Sequence, residues 1–334
     1  MVLPENLLPW HADPWARLLA SRRAGRLPHA LLLTGSAGVG KQIFADRLAA
    51  ALVCETSVLE AQPCHRCRAC CLAADGTHPD LHRVMPVEKG KPIRIEAIRE
   101  LIGRSSLTTA GQGMLVFVIS PAEAMNRAAA NALLKTLEEP SGASCLILVS
   151  SASHRLPATI RSRCQEVAFR PVPREQARKW LIERTGGGDV SAVLDAAGGA
   201  PLLAQTLLET GKLERLNQLA DELIGLGQRR ADPLEVAQVW AEWPITQQLA
   251  DLRRVIFDLT RLCVTDVANH DGLYLGGKRM DLKNLSKDIN LRKIFHFKDE
   301  IDHLERLTSH NLNSQMMMEK LVNNWLKLTR PEKH

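Results

Sequence analysis

Two groups of residues in the first third of the chain have the types and spacing to do chemistry. Gly35-Ser36-Ala37-Gly38-Val39-Gly40-Lys41-Gln42 matches the glycine-rich phosphate loop through its lysine. Gly35, Gly38 and Gly40 would let backbone N–H groups converge on phosphate oxygens at a helix start, and Lys41 would add a positive charge. An apolar run precedes the loop and a helical pattern follows it, the context that separates such a loop from a chance glycine turn. The loop ends at Gln42, where a Ser or Thr would place a hydroxyl on Mg²⁺. A hydrolase also needs a carboxylate at a nearby strand tip to hold the metal, and usually a second to orient the attacking water. The run 114–119 (MLVFVI) leads into Ser120-Pro121, with no acid at either position, and Glu123 is expected beyond the strand tip. Occupancy by ATP, by ADP or by nothing is compatible with these residues; hydrolysis is not supported.

The second group is made of cysteines. Cys64-x-x-Cys67-x-x-Cys70 offers three thiolates at turn-like spacing, and Cys54 stands upstream at the expected end of a helix. Four thiolates close a tetrahedral Zn²⁺ site with no open position, so Cys54, Cys64, Cys67 and Cys70 predict a structural zinc. Cys71 adjoins the set, and His65, His78 and His82 are rival fourth ligands. Unliganded thiols in a reducing compartment are the plainer alternative. Five of the eight cysteines fall between Cys54 and Cys71 in a chain with no export signal, which favours metal over disulfides.

These groups need a scaffold that ends strands beside helix starts. The runs 30–34 (ALLLT), 114–119 and 145–150 (CLILVS) are continuously apolar and of strand length, as central parallel strands buried on both faces would be. Helical periodicity fills 41–53, 93–102 and 126–138, with Pro140 as a stop. The fold class is therefore α/β, a parallel sheet with helices on both faces. Pro171 and Pro173 break the pattern. Beyond them, 174–185, 189–197 and 201–210 read as short helices, with Gly186 to Gly188 and Gly198-Gly199 as stops. The pattern then stays helical, most clearly at 213–226, 236–243, 248–262 and 313–328, while 269–291 reads as a loop-rich connection. Trp240, Trp243 and Trp325 are expected as core or subunit-contact anchors, and Met316 to Met318 as adaptable packing. The organisation expected is 1–170 with a zinc insertion at about 54–71, a small helical lid at 171–212, and an all-α C-terminal domain at 213–334.

With 334 residues, 45% hydrophobic and 24% charged, the composition is that of an ordinary globular chain and excludes disorder. A net charge of +6 does not by itself select a nucleic-acid partner. No apolar stretch is long enough to span a bilayer, and a cytoplasmic location is expected.

A phosphate loop followed by a four-cysteine insertion resembles the clamp-loader branch of the AAA+ ATPases. Thr77-His78-Pro79-Asp80-Leu81, residues 130–140 (ANALLKTLEEP) and 160–164 (IRSRC) are similar to that family as well. The resemblance covers most of 32–164, is weaker through the lid and slight beyond. It implies an AAA+ P-loop domain, a lid and a collar that joins other subunits. It also implies that Arg163 of Ser162-Arg163-Cys164 is an arginine finger, reaching the ATP of a neighbouring subunit with its planar fork. The lid arginine of active members is missing from Gly198-Gly199-Ala200-Pro201-Leu202-Leu203-Ala204. The resemblance thus points to a non-hydrolysing member with no polymerase or ATPase activity of its own, within the DNA polymerase III holoenzyme. The implied partners are the motor (gamma/tau) subunits and the delta subunit, and, through the complex, the beta sliding clamp and primed DNA. The rivals are an ATP-hydrolysing motor subunit and a zinc-dependent DNA-binding module. The latter lacks a following run of basic and aromatic residues to read or stack on bases.

Overall fold

A computed structural model describes residues 7–56, 62–88, 90–105, 114–140, 143–264, 273–287, 289–307 and 313–329. It divides into two compact units, Met1–Val172 and Pro173–His334.

The first unit is built on a five-stranded parallel sheet: β1 (Ala30–Thr34), β2 (Leu81–Val84), β3 (Leu115–Ile119), β4 (Ser144–Val149) and β5 (Gln165–Ala168), in the order β2-β3-β4-β1-β5. Its described helices are α1 (Ala12–Arg23), α2 (Lys41–Val53), α3 (Arg68–Asp75), α4 (Ile95–Ser105), α5 (Arg127–Glu138) and the single turn α6 (Ala158–Arg161). β1 lies between β4 and β5, with Leu31 opposite Ile147 and Gln165. Every residue of β1 and β3 is buried, as their unbroken apolar runs require. The edge strands read differently. β2 buries only Leu81 fully, and β5 only Val167, so neither carries an apolar run for a sequence reading to find. On one face, Ile98 and Leu101 of α4 and Leu133 and Leu137 of α5 pack with Phe117, Leu148 and Ile160 in a continuous core. Asn126 caps α5, its side-chain oxygen accepting from the Ala129 N–H at 2.8 Å.

The second unit is helical in its described residues. It contains α7 (Arg174–Thr185), α8 (Ser191–Ala196), α9 (Pro201–Glu209), α10 (Lys212–Gly227), α11 (Pro233–Ala241), α12 (Ile245–Val264), α13 (Arg279–Ser286), α14 (Leu291–Leu307) and α15 (Ser314–Leu328). Trp240 and Trp325 are fully buried anchors. Their indole N–H groups donate to Glu222 at 2.6 Å and to the Leu223 carbonyl at 2.9 Å, both acceptors lying on α10. Trp243 is instead half-exposed beneath the Arg215 guanidinium, 4.9 Å from the ring centroid. Met317 and Met318 are buried, while Met316 is exposed.

The segment expected as a loop-rich connection is corrected in part, because Arg279–Ser286 is helical and α14 begins at Leu291. Leu282 and Leu285 are the buried apolar residues of α13, while Met280 is exposed, too little a pattern to show through its polar residues. Residues 269–272 and 288 lie outside the described residues. The helices at 12–23, 68–75 and 291–307 were not singled out from sequence.

What seats this segment is Asp258. Its fully buried carboxylate accepts from the backbone N–H groups of Tyr274 (2.9 Å) and Leu275 (2.7 Å). Burial pushes its pKa up to about 6 against the pull of these two hydrogen bonds. Asp258→Ala should therefore destabilise the second unit by about 1–3 kcal/mol, because it leaves buried donors without an acceptor. Urea unfolding would read the loss, and amide exchange at Tyr274 and Leu275 would locate it; unchanged protection of both amides would refute the assignment.

Candidate functional site

The phosphate loop leaves the C-terminal end of β1, between two strands, and delivers its last residues into the N-terminus of α2. This is the edge where open parallel sheets place ligands. Glycine is required at two points. Gly35 has φ 141° and Gly40 φ 88°; a Cβ on Gly35 would lie 2.5 Å from the Phe169 carbonyl oxygen, and one on Gly40 2.5 Å from Leu8 Cδ1. Lys41 is only 4% exposed, and its ammonium is saturated. It donates to the carbonyls of Gly35 (2.8 Å) and Ser36 (2.7 Å) and to the Ser151 hydroxyl (3.0 Å). Burial lowers its pKa to about 8, with Glu123 opposing the shift.

Gln42, the departure from a metal-binding hydroxyl, is turned along its own helix. Its amide donates to Asp46 at 2.9 Å, and Asp46 is pinned by Arg83 of β2 at 3.0 Å. The end of β3 supplies no acid at Ser120 or Pro121. Glu123 comes closer than its spacing suggested: it accepts from the Ser151 N–H at 3.0 Å, while the Ser151 hydroxyl accepts from Lys41. One carboxylate thus approaches the loop, while position 42 offers no hydroxyl and the tip of β3, Ser120-Pro121, no acid for a Mg²⁺-water site.

Sequence reasoning missed what braces the loop from below. The short 3-10 turn Pro9–His11 puts Trp10 Nε1 (2.9 Å) and His11 Nε2 (2.8 Å) on the same carbonyl, that of Val39. His11 is fully buried and meets Phe44 and Phe169 edge-on, at centroid distances of 5.4 and 5.2 Å. Burial lowers its pKa to about 4, so the ring is neutral and carries its proton on the nitrogen that faces Val39. The only sequence signal was a Trp-His pair in an otherwise unpatterned segment.

The structure brings Cys54, Cys64, Cys67 and Cys70 together and leaves the rivals out. The four Sγ atoms lie within 4.8 Å of one another, with Cys54–Cys67 at 3.8 Å and Cys64–Cys70 at 3.9 Å. Tetrahedral Zn–S bonds of about 2.3 Å require S···S edges of about 3.8 Å. Cys67 caps α3, its sulfur accepting from the Cys70 N–H, and the Cys64 sulfur accepts from the Cys67 N–H, both at 3.3 Å. The Thr56 hydroxyl, with further backbone bonds, holds the Cys64 thiol down at about 5. Cys71 points to solvent, His78 Nδ1 accepts from the Asp80 N–H, and His82 stacks on Phe117.

Arg163 follows α6 on a motif whose flanks are pinned. Ile160 is fully buried, and Cys164 packs against the same core, where burial pushes its thiol up to about 11. Cys164 is therefore an apolar anchor rather than a nucleophile. Arg163 itself is partly exposed between these anchors.

A sequence profile described as DNA polymerase III, delta subunit, matches residues 10–173. A DNA polymerase III subunit delta' from Pseudomonas aeruginosa is 35% identical over 326 residues, covering 95% of this chain and 98% of that one. The chain belongs to the DNA polymerase III subunit delta' family. The Escherichia coli subunit delta' is 36% identical over 204 residues, 60% of each chain. A DNA polymerase III subunit tau from Salmonella typhimurium is 34% identical over 157 residues, 47% of this chain and 24% of that one. The motif resemblance and the end-to-end likeness agree on a delta' subunit of the clamp loader, and so on a member of a DNA replication complex. Among the described residues no helix is long and apolar enough to cross a membrane.

Burial of His11, against the opposing hydrogen bond to Val39, gives the site a pH dependence. The unfolded chain protonates His11 near 6.5, the folded one only near 4, so its contribution is full above pH 6.5 and is lost as pH falls toward 4. The amount is on the order of 3 kcal/mol. His11→Gln, which can still donate to Val39, should narrow its stability gap to wild type between pH 7 and pH 4.5 in thermal melts. A gap constant across that range would count against a buried, neutral His11.

Proposed function

We propose that this chain acts in the clamp loader as a non-hydrolysing subunit that serves its neighbours' chemistry. By this reading it completes, with Arg163, the ATP site of an adjoining motor (gamma/tau) subunit. Through the complex, with the delta subunit, it supports loading of the beta sliding clamp onto primed DNA. The observation that carries the reading is an asymmetry. Lys41 and Gln42 are turned inward onto loop carbonyls and Asp46, whereas Arg163, paired with Glu138, stands partly exposed on a motif anchored by Ile160 and Cys164. An arginine fork can neutralise charge spread over phosphoryl oxygens in trans. The division into an AAA+ domain (1–170), a lid (171–212) and a collar (213–334) belongs to the same reading, as does a collar role in assembly. Glu123 beside the phosphate loop favours the rival motor, so the chain alone should be assayed; it should hydrolyse no ATP above background.

Zn²⁺ fits the four thiolates, and we assign it a structural part: it would close the insertion between α2 and β2. Metal analysis of chain purified without chelator should return one zinc per chain. Cys67→Ser should lower that value and loosen the insertion while leaving the sheet folded. Zinc-free wild-type protein would end the assignment.

Arg163→Ala should leave the chain folded and able to assemble, since a surface arginine contributes little to stability. The assembled loader should lose part of its DNA-stimulated ATPase and its clamp loading. The loss at one site is on the order of a thousandfold, diluted by the sites that keep their own arginines. Arg163→Lys should rescue poorly, because a point charge does not reproduce the fork. Wild-type rates from an assembled Arg163→Ala loader would refute the role.

A further inference from the structure

Although Arg163 lies at the surface, its guanidinium already has an anion. Nε (2.8 Å) and Nη2 (2.6 Å) both donate to Oε1 of Glu138, and Nη1 donates to the Thr159 carbonyl at 3.1 Å and reaches the Ser162 hydroxyl at 3.4 Å. The edge with two parallel N–H groups, the one best shaped for a phosphate, is taken by a carboxylate oxygen. The pair joins residues 25 positions apart. Glu138 closes α5 directly after the buried Leu137, and Arg163 lies between Ile160 and Cys164. One core cluster thus fixes both bases of the contact, which separates it from a chance meeting of two long surface chains.

We propose that Glu138 is a counter-ion latch: it keeps the Arg163 fork aligned but neutralised, and a phosphate of the neighbour's nucleotide must displace it. This rests on the reading of Arg163 as acting in trans. The two side chains are 36% and 50% exposed, and ion pairs that face water are worth a factor of only about 1.4 to 5 in equilibrium. A phosphoryl group carrying more charge than a carboxylate can therefore win the fork, whereas other surface anions compete with the latch in place.

The test uses the assembled loader with ATP. Glu138→Gln keeps the shape and removes the charge, so it should raise DNA-independent hydrolysis at the neighbouring site by a factor of about 1.4 to 5, and the rate of the whole loader in the same direction by less. Glu138→Ala should shift it in the same direction. Glu138→Gln combined with Arg163→Ala should match Arg163→Ala alone, because a latch without its arginine has nothing to restrain. Glu139→Gln makes the same charge change one residue along and should leave the rate at the wild-type value. Wild-type ATPase from Arg163→Ala would remove the underlying reading. A clear loss from Arg163→Ala, with Glu138→Gln at or below wild type, would overturn the latch alone. An equal rise from Glu139→Gln would also overturn it, reducing the effect to general surface charge.

Discussion

A buried ammonium must have its donors met, and the C-terminal edge of the sheet in the first unit is arranged around that demand. Lys41 sits at the start of α2 with almost no access to water, so the loop before it wraps back to offer two carbonyls, and β4 ends where Ser151 can offer a hydroxyl. Left unmet, a charge in that position would cost several kcal/mol. The wrap in turn needs backbone that passes close to Phe169 and Leu8, which only glycine at Gly35 and Gly40 allows. Trp10 and His11 then hold the loop from its other side through Val39. The protein's own contacts thus hold the loop from both sides.

Two arginines beside this sheet are treated in opposite ways. Arg83, on an edge strand, turns toward the interior and neutralises Asp46, which occupies the Gln42 amide. Arg163, after the last turn before β5, remains at the surface with a weakly held carboxylate partner. Burial separates the roles: an interior pair in low dielectric is a fixture, whereas a pair shared with water can be exchanged.

Features carried by local spacing were legible in the sequence. The phosphate loop, the four clustered thiolates and the central strands each depend on residues close together in the chain, and the structure places them as their spacing implies. Features carried by distant contacts were not. β2 and β5 lack apolar runs because edge strands bury little, and α13 was hidden because two leucines are too few to mark a period. Trp10 and His11 could be tied to Val39 only by folding, across 29 and 28 positions. Glu123 likewise reached the loop through Ser151, a residue that no motif includes. The Glu138–Arg163 contact joins two stretches that sequence treats as separate signatures, and only the shared core shows that they are one arrangement.

The strand order also has a consequence in time. β1 is flanked by β4 and β5, and more than 100 residues separate its end from the start of the nearer partner. At roughly 5–20 residues per second on a ribosome, the apolar stretch Ala30–Thr34 therefore emerges well before either neighbour exists. Through that interval the nascent chain carries an apolar strand segment whose sheet partners have not been made. Synthesis of this protein thus contains a vulnerable period during which a chaperone has something to grip.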